Sequence, residues 1–253
     1  MGRTEETGGM RITLTGIGIA TALFFSCTPA EPESMVWEFE SSIRALEVTG
    51  EQGVWWAGAN GLVGHSLDCG ASWQVDTLRL SDGSLPAFRS IAVTNDAAFV
   101  LTIASPAVLF RRDLDGAIWD SVYVNNDPAI FFDSMVFWDD QEGLAMGDAT
   151  AECLSVLITR DGGRQWNLLD CSELPEVATA ASGQKEAAFA ASNGNLVVQN
   201  DEVWMASGGA ASRIYHSSDR GRNWAIANTP IIQGGAMTGM FSVARCPDEG
   251  NVG

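Results

Sequence analysis

Three octets that share the pattern Ser/Thr-x-Asp-x-Gly-x-x-Trp decide the fold: SLDCGASW at 66–73, TRDGGRQW at 159–166 and SSDRGRNW at 217–224. Their fixed positions are Asp68, Gly70 and Trp73, then Asp161, Gly163 and Trp166, then Asp219, Gly221 and Trp224. In such a turn the aspartate accepts hydrogen bonds from backbone N–H groups, and the glycine adopts a positive φ. The tryptophan opens the returning strand and packs its ring over the hairpin. Each octet therefore predicts the tight turn of a β-hairpin.

The spacing of the octets predicts how these hairpins repeat. A decayed copy at 115–119 keeps the interval from glycine to tryptophan but has Leu114 in the place of the aspartate. The four tryptophans are residues 73, 119, 166 and 224, so the repeat is 46, 47 and then 58 residues long. Periods in the forties are typical of the four-stranded blades of a β-propeller.

The segments between the octets supply the inner strands of each unit. Apolar runs predict first strands at 43–48, 88–93, 132–137 and 187–191, and second strands at 54–58, 98–103, 143–147 and 203–207. The octet hairpin then contributes the third and fourth strands. Since the fourth unit is longer than the others, we expect an insertion at 193–201.

These repeats resemble those of the bacterial neuraminidase (BNR, or Asp-box) propellers. The nearer likeness is to secreted bacterial propellers related to the photosystem II assembly factor, a group whose members often carry the labels "oxidoreductase" or "glycosyl hydrolase". Beyond the octets, the likeness is carried by the stretches at 126–133, 143–148, 186–192 and 208–213, and it runs from about residue 42 to residue 253. It implies an all-β fold with about four blades and a partial fifth.

The ends of the repeat region predict an incomplete ring. Residues 240–244 have the pattern of a fifth first strand, and 250–253 that of the start of a second strand. Residues 35–39 have the pattern of a lone fourth strand that closes the ring. We therefore expect residues 35–253 to be a C-terminally truncated part of a propeller that has six or seven blades in full. The alternative is a naturally short propeller, which would leave a strand edge unpaired.

The amino terminus has the pattern of an export signal. An uncharged, largely apolar run at 12–25 is too short for a mature membrane span but suits a signal-peptide core. It ends at Ser26-Cys27, which resembles the bacterial lipoprotein processing box. We expect a signal peptide at 1–26, a lipid on Cys27, a Pro/Glu tether at 27–34 and a periplasmic or outer-membrane location. The alternative is a plain secretory signal and a secreted protein.

The charge balance excludes two kinds of partner. With 14 Lys and Arg against 32 Asp and Glu, the net charge is −18. Nucleic acids require a cationic surface that releases phosphate counterions, and an anionic membrane surface repels such a chain. A membrane contact is therefore expected only through the lipid. Disorder is excluded as well, because 46% of the residues are hydrophobic.

Two cysteines flank the second complete octet at matching distances. Cys153 and Cys171 should face each other across this hairpin, which predicts either a disulfide or two half-buried thiols. No metal site is predicted, because the chain has no Cys-x-x-Cys pair and only two histidines. His65 and His216 both precede the first residue of an octet, so the repeat itself accounts for them.

The candidate site lies where the first strands meet the central channel, since propellers commonly bind ligands there. Alignment of these strands places Arg44, Arg89 and Asp133 at one equivalent position, followed by Ala187 and Phe241 in later units. Four further polar residues are candidates for the same rim: Asp127, Asp148, Glu186 and Arg213. The arginines suit a carboxylate, which guanidinium groups bind bidentately. The alternative is that these residues form ordinary ion pairs between blades.

Two hypotheses of function remain open. The first is a noncatalytic binding or assembly module at the envelope, which engages an unknown envelope protein or a small anionic ligand. The second is a glycan-processing hydrolase, as the sialidase-like resemblance implies. Such enzymes need a tyrosine nucleophile, an arginine triad and an acid/base aspartate, whereas Tyr123 and Tyr215 are the only tyrosines and fall away from the channel. The first hypothesis is therefore favoured, with no catalytic residue and no cofactor.

Overall fold

The computed structural model describes residues 35–189 and 193–245, and its regular structure is almost entirely β. These residues belong to the compact unit Trp37–Gly253, apart from Met35 and Val36. The predicted signal peptide, Cys27 and tether lie outside the described residues. Within the described ranges, no helix has the length and apolarity to cross a membrane.

Three blades have the predicted form of four antiparallel strands that pair in chain order. Blade 1 contains β1 (Ile43–Thr49), β2 (Gly53–Gly58), β3 (Leu62–Ser66) and β4 (Gln74–Thr77). Blade 2 contains β5 (Phe88–Val93), β6 (Ala97–Thr102), β7 (Ala107–Asp113) and β8 (Asp120–Asn125). Blade 3 contains β9 (Phe132–Phe137), β10 (Gly143–Ala149), β11 (Leu154–Thr159) and β12 (Asn167–Leu168). The predicted inner strands of these blades agree with the structure to within two residues.

Blade 4 differs from the prediction in its innermost strand. Its strands are β13 (Glu186–Ala187), β14 (Leu196–Gln199), β15 (Glu202–Ala206), β16 (Gly208–Gly209), β17 (Arg213–Ser217) and β18 (Ala225–Asn228). The four-stranded sheet has the order β14-β15-β17-β18, and β13 pairs separately with β16. Because Ala187 pairs with Gly208 and Leu196 pairs with Met205, the extra residues lie at 188–195. The insertion predicted at 193–201 is therefore wrong in its second half, which forms β14 and its turn.

The blades hold together through apolar contacts between neighbouring sheets. One cluster joins blades 1 and 2 and has Trp55, Ile91 and Val100 among its members. A second joins blades 2 and 3 around Phe99 and Met135, and a third joins blades 3 and 4. Sheets stacked face to face in this way give blades 2 and 3 two buried faces each, as in a propeller.

The octets form the predicted turns with one repeated set of hydrogen bonds. In the third octet, Ser217 Oγ accepts from the N–H of Gly221 at 2.8 Å and donates to Asp219 Oδ1 at 2.8 Å. The same carboxylate oxygen accepts from the N–H groups of Arg222 and Asn223 at 3.0 and 2.8 Å. The other two octets repeat the bond from the glycine N–H to the Ser or Thr hydroxyl. The three glycines have φ values of 85°, 72° and 77°, as predicted.

The tryptophan that ends a turn contacts the preceding blade as well as its own hairpin. Trp166 donates from Nε1 to the carbonyl of Gly163 at 3.2 Å, which closes its own turn. Its ring also lies edge-on to Phe99 of blade 2, with the ring centroids 6.3 Å apart. Trp119, in the decayed copy, donates to Asp76 of blade 1 at 3.0 Å. Each of these rings thus joins its blade to the preceding one.

Two predicted strands at the ends of the propeller are absent. Residues 35–39 form no strand, and Phe39 instead packs on Trp56 and Trp73 with ring centroids 4.6 and 5.7 Å away. Residues 240–244 form no strand either, although the neighbouring Gly239 bridges to Gly208. The predicted start of a further strand at 250–253 lies outside the described residues.

The cysteines of the third blade form the predicted cross-hairpin disulfide. Cys153 and Cys171 are joined with a Cα–Cα distance of 5.4 Å. Cys69 is a free, exposed cysteine at the tip of the first octet turn. The histidines also occupy matching positions, since His65 stacks on Trp55 and His216 stacks on Trp204.

We expect Asp219→Ala to lower the free energy of unfolding by about 1 kcal/mol, as for the loss of a capping side chain. Hydrogen bonds from Asn223 and Ser217 lower the pKa of Asp219 from 3.8 to about 2. A carboxylate with a lowered folded-state pKa stabilises the fold above pH 4, and this contribution disappears as the pH falls towards 2. Urea denaturation should show that the free energy of unfolding differs less between this variant and the parent at pH 2.5 than at pH 7.

The matched control is Asp115→Ala, in the decayed copy of the turn. Among the described residues Asp115 accepts none of these hydrogen bonds, so its removal should change stability by less than about 0.5 kcal/mol. An equal loss in both variants would show that the octet hydrogen bonds do not stabilise the turn.

Candidate functional site

The three residues predicted to be equivalent occupy the same structural feature in three blades. Each innermost strand contains a one-residue β-bulge where it leaves the ladder with the second strand. The bulged residues are Arg44 in β1, Arg89 in β5 and Asp133 in β9. A bulge turns its side chain away from the regular alternation of the strand, and bulges recur beside functional sites. The alignment made from sequence is therefore correct at this position.

These bulges open on one cavity of about 450 Å³. Its polar lining consists of Arg44, Arg89, Asp133 and Asp148. Ala187 and Phe241, the residues predicted to follow in the later units, line it too. The cavity is within the size range of small-molecule sites.

An apolar wall, which the sequence did not reveal, completes the cavity. Phe131, Phe189 and Met237 contribute to this wall together with Phe241. The rings of Phe189 and Phe241 are stacked with centroids 4.3 Å apart. Phe131 directly precedes β9 and is two residues from Asp133 in the sequence, so its place in the cavity wall could have been predicted. Phe189 and Met237 come together only because the inserted segment of blade 4 and the segment after β18 meet here.

Asp133 is the most unusual side chain of the cavity. It is 0% exposed, and neither carboxylate oxygen accepts a hydrogen bond from any described residue. Burial raises the pKa of Asp133 well above its ordinary value, the negative charge of Asp148 raises it further, and Arg89 opposes both effects. A buried carboxyl group without hydrogen bonds costs stability when it ionises. The site therefore maintains an unfavourable charge environment that a ligand could relieve.

Asp148 connects this buried group to the open part of the cavity. Burial raises its pKa, and a hydrogen bond from the backbone N–H of Ala188 opposes the rise. That bond joins Asp148 Oδ1 to the inserted segment of blade 4 at 2.9 Å. Asp148 is only partly buried, so it remains within reach of a ligand.

The inserted segment of blade 4 reaches the innermost strands of two other blades. Asn193 donates from Nδ2 to the carbonyl of Ile91 in β5 at 2.5 Å. Its Oδ1 accepts from the N–H of Met135 in β9 at 3.4 Å. One side chain therefore satisfies two backbone groups of separate innermost strands, and it fixes the insertion beside the cavity. Sequence reasoning missed this role, because the pairing of β14 was needed to locate the insertion.

Three of the predicted site residues lie elsewhere. Asp127 is exposed in the loop before β9, where its carboxylate accepts from the N–H of Ala129 at 2.9 Å. Glu186 and Arg213 form a buried ion pair with each other, and this pair lies within blade 4 rather than between blades as the alternative expected. None of the three lines the cavity.

Neither tyrosine lines the cavity, so neither is placed to act as a nucleophile there. Tyr215 is 1% exposed, and its hydroxyl accepts a hydrogen bond from Arg213 Nη2 at 2.9 Å. Burial and the carboxylate of Glu186 raise its pKa strongly, which is the opposite of what a tyrosine nucleophile needs. Tyr123 lies on β8, the outermost strand of blade 2, as predicted.

Stacked four-stranded antiparallel sheets with a site at the inner strands define a β-propeller. Among solved structures, U3-55K is similar to this chain with a TM-score of 0.52 at 10% identity, over 76% of this chain and 53% of that one. This likeness supports the fold alone. No family model and no curated protein matches the sequence.

Three further solved structures are similar to this chain at low sequence identity. YCF48 bound to D1 peptide has a TM-score of 0.43 at 16% identity, over 74% of this chain and 69% of that one. YCF48 from Cyanidioschyzon merolae has a TM-score of 0.41 at 15% identity, over 74% and 85%. Trypanosoma rangeli sialidase in complex with the inhibitor DANA has a TM-score of 0.44 at 13% identity, over 74% and 38%.

We expect Asp133→Asn to stabilise the protein at pH 8. Because the pKa of Asp133 is raised in the folded state, its contribution to stability is greatest below pH 3.8 and is lost as the pH rises through the folded-state value. The neutral amide avoids this loss, so the variant should gain about 1–3 kcal/mol at pH 8, the usual cost of an unpaired buried group. The gain should be smaller at pH 4. Urea denaturation at both pH values measures it.

The control is Asp127→Asn, which exchanges the same groups in an exposed loop and should leave stability unchanged at either pH. A variant Asp133→Asn that is less stable than the parent at pH 8 would contradict this prediction. Ionised Asp133 would then be a stabilising partner of Arg89, and its burial in the charged form would not cost stability.

Proposed function

We propose that this chain is a noncatalytic propeller of the bacterial envelope that binds a protein segment or a small ligand with an anionic group. The observation that carries the proposal is the cavity itself. Two arginines on adjacent blades open on it beside an aromatic wall, so it offers both charge recognition and apolar contact. Binding sites of proteins typically combine an apolar lining with a few convergent polar groups.

The arginines suit an anionic group for a structural reason. Arg44 is exposed and donates from Nε to Ser42 Oγ at 3.0 Å, which favours one direction of its guanidinium. Arg89 is partly buried at the equivalent bulge of the next blade. A guanidinium held in one orientation binds a carboxylate bidentately at a lower entropic cost.

Hydrolysis of a glycan is the second candidate, because Asp133 and Asp148 are two interacting carboxyl groups beside one cavity. Glycosidases use such a pair as acid and nucleophile or base. However, the carboxylate oxygens of Asp133 are sealed from solvent, so they cannot reach a glycosidic oxygen in this conformation. Noncatalytic binding is therefore the better supported function.

Photo-cross-linking in cells tests the binding function. A cross-linking amino acid at Met237, which is 72% exposed at the cavity, should trap a partner whose trapped segment carries an acidic side chain or a free carboxylate. Arg44→Glu in the same protein should reduce the adduct at least tenfold, since it replaces an attraction by a repulsion. A cross-linker at Leu67, 67% exposed on the outer turn of blade 1, is the matched control and should trap no such partner.

Two results would contradict noncatalytic binding at this cavity. One is an adduct that is unaffected by Arg44→Glu. The other is turnover of sialosides or other glycosides by the purified protein that Asp133→Asn abolishes.

The envelope location is the second part of the proposal, and it rests on the Ser26-Cys27 boundary after an apolar run. Metabolic labelling with an alkyne fatty acid should mark the protein, and Cys27→Ser should remove the label and release the protein from the membrane fraction. Cys69→Ser, at the free and exposed cysteine, should keep both the label and the location. An unlabelled parent protein in the soluble fraction would favour a plain secretory signal.

A further inference from the structure

The charges of the cavity are sorted by blade. Its cationic side consists of Arg44 and Arg89, the bulge residues of blades 1 and 2. Its anionic side consists of Asp133 and Asp148, both from blade 3. The four groups line one cavity of about 450 Å³. A ligand with a single charge would contact only one of these two sides.

The cationic side offers unused donors at its outer end. Arg44 is exposed, and within the described part of the chain its Nη groups have no hydrogen-bond partner. These are the nitrogens that form paired hydrogen bonds with a carboxylate.

The anionic side calls for a cation. Asp148 uses Oδ1 to accept from Ala188 and is partly open to the cavity. Asp133 lies fully buried behind it with both oxygens unpaired. Arg89 opposes the raised pKa of Asp133 without cancelling it, so a further positive charge beside the two carboxyl groups would favour their ionisation. A primary ammonium group supplies this charge together with three hydrogen-bond donors.

The remaining wall is apolar and aromatic. Phe189 and Phe241 present a stacked pair, and Phe131 and Met237 complete the wall. Such a wall buries a hydrophobic side chain, and aromatic faces also favour a nearby cation.

We infer that the cavity takes a zwitterionic α-amino acid with an apolar side chain. In this arrangement the carboxylate would bind Arg44, the ammonium group would bind Asp148 with Asp133 behind it, and the side chain would pack against Phe189 and Phe241, all of which line the cavity. The inference rests on the proposed binding function and specifies the ligand of that site. It adds an ammonium-binding end to the anion-binding end already proposed.

Isothermal titration of the purified full-length protein with three probes tests the inference. The probes are L-phenylalanine, 3-phenylpropanoate, which lacks the ammonium group, and 2-phenylethylamine, which lacks the carboxylate. L-phenylalanine should bind at least tenfold more tightly than either analogue, because each analogue lacks one of the two charge-assisted contacts.

Two variants assign the ends of the ligand. Asp148→Asn should weaken L-phenylalanine and 2-phenylethylamine about tenfold or more and leave 3-phenylpropanoate unchanged. Arg44→Gln should weaken L-phenylalanine and 3-phenylpropanoate and leave 2-phenylethylamine unchanged. Asp127→Asn, outside the cavity, is the matched control and should leave all three affinities unchanged. Thermal unfolding of each variant confirms that it is folded.

Three results would overturn the inference. They are equal binding of L-phenylalanine and 3-phenylpropanoate, unchanged affinity for L-phenylalanine in Asp148→Asn, and no binding of any probe to a folded protein. The first two leave the proposed anion-binding function intact. In the third case the cross-linking at Met237 decides separately whether the cavity binds a protein segment.

Discussion

The structure depends on the close approach of the second and third octet turns to the blade before each of them. At Gly163 a Cβ atom would lie 2.2 Å from the ring of Phe99 in blade 2, and the backbone there has a φ of 72°. At Gly221 it would lie 3.0 Å from Ile158 of blade 3. Only glycine combines this backbone conformation with this absence of a side chain. The same residue therefore closes the hairpin and lets the hairpin dock on its neighbour.

Docking of this kind explains why most of the arginines are not free to bind a ligand. Arg111 of blade 2 donates to the carbonyl of Gly162 in the octet turn of blade 3, and Arg160 of blade 3 donates to the carbonyl of Arg220 in that of blade 4. Arg112 pairs with Asp76 of blade 1. These contacts lie on the outer parts of the blades and act between them. Arg44 and Arg89 lie instead at the bulges of β1 and β5, and both line the cavity at the innermost strands.

The repeat explains how much of this could be predicted from the sequence. The alignment of Arg44, Arg89 and Asp133 is correct because the innermost strands of blades 1 to 3 each have a bulge at the same place. The bulged residue therefore occupies an equivalent position in each of these blades. Blade 4 was misread because residues 186–191 and 196–199 are both apolar enough to form its first strand. Local pattern cannot choose between them, since the choice depends on which run pairs with β15 at a distance in sequence. The aromatic wall escaped prediction for the same reason, because Phe189 and Met237 meet only through tertiary structure.

The net charge of −18 affects which ligands can approach the cavity. The field of an acidic body repels anions at long range, whereas the two arginines attract them only at short range. A purely anionic ligand would be disfavoured during its approach and favoured only on contact. A ligand that carries both signs avoids this conflict, because it has no net charge in the distant field and meets separate partners in the site. The segregation of arginines on blades 1 and 2 from carboxylates on blade 3 is what makes such recognition possible on an otherwise acidic protein.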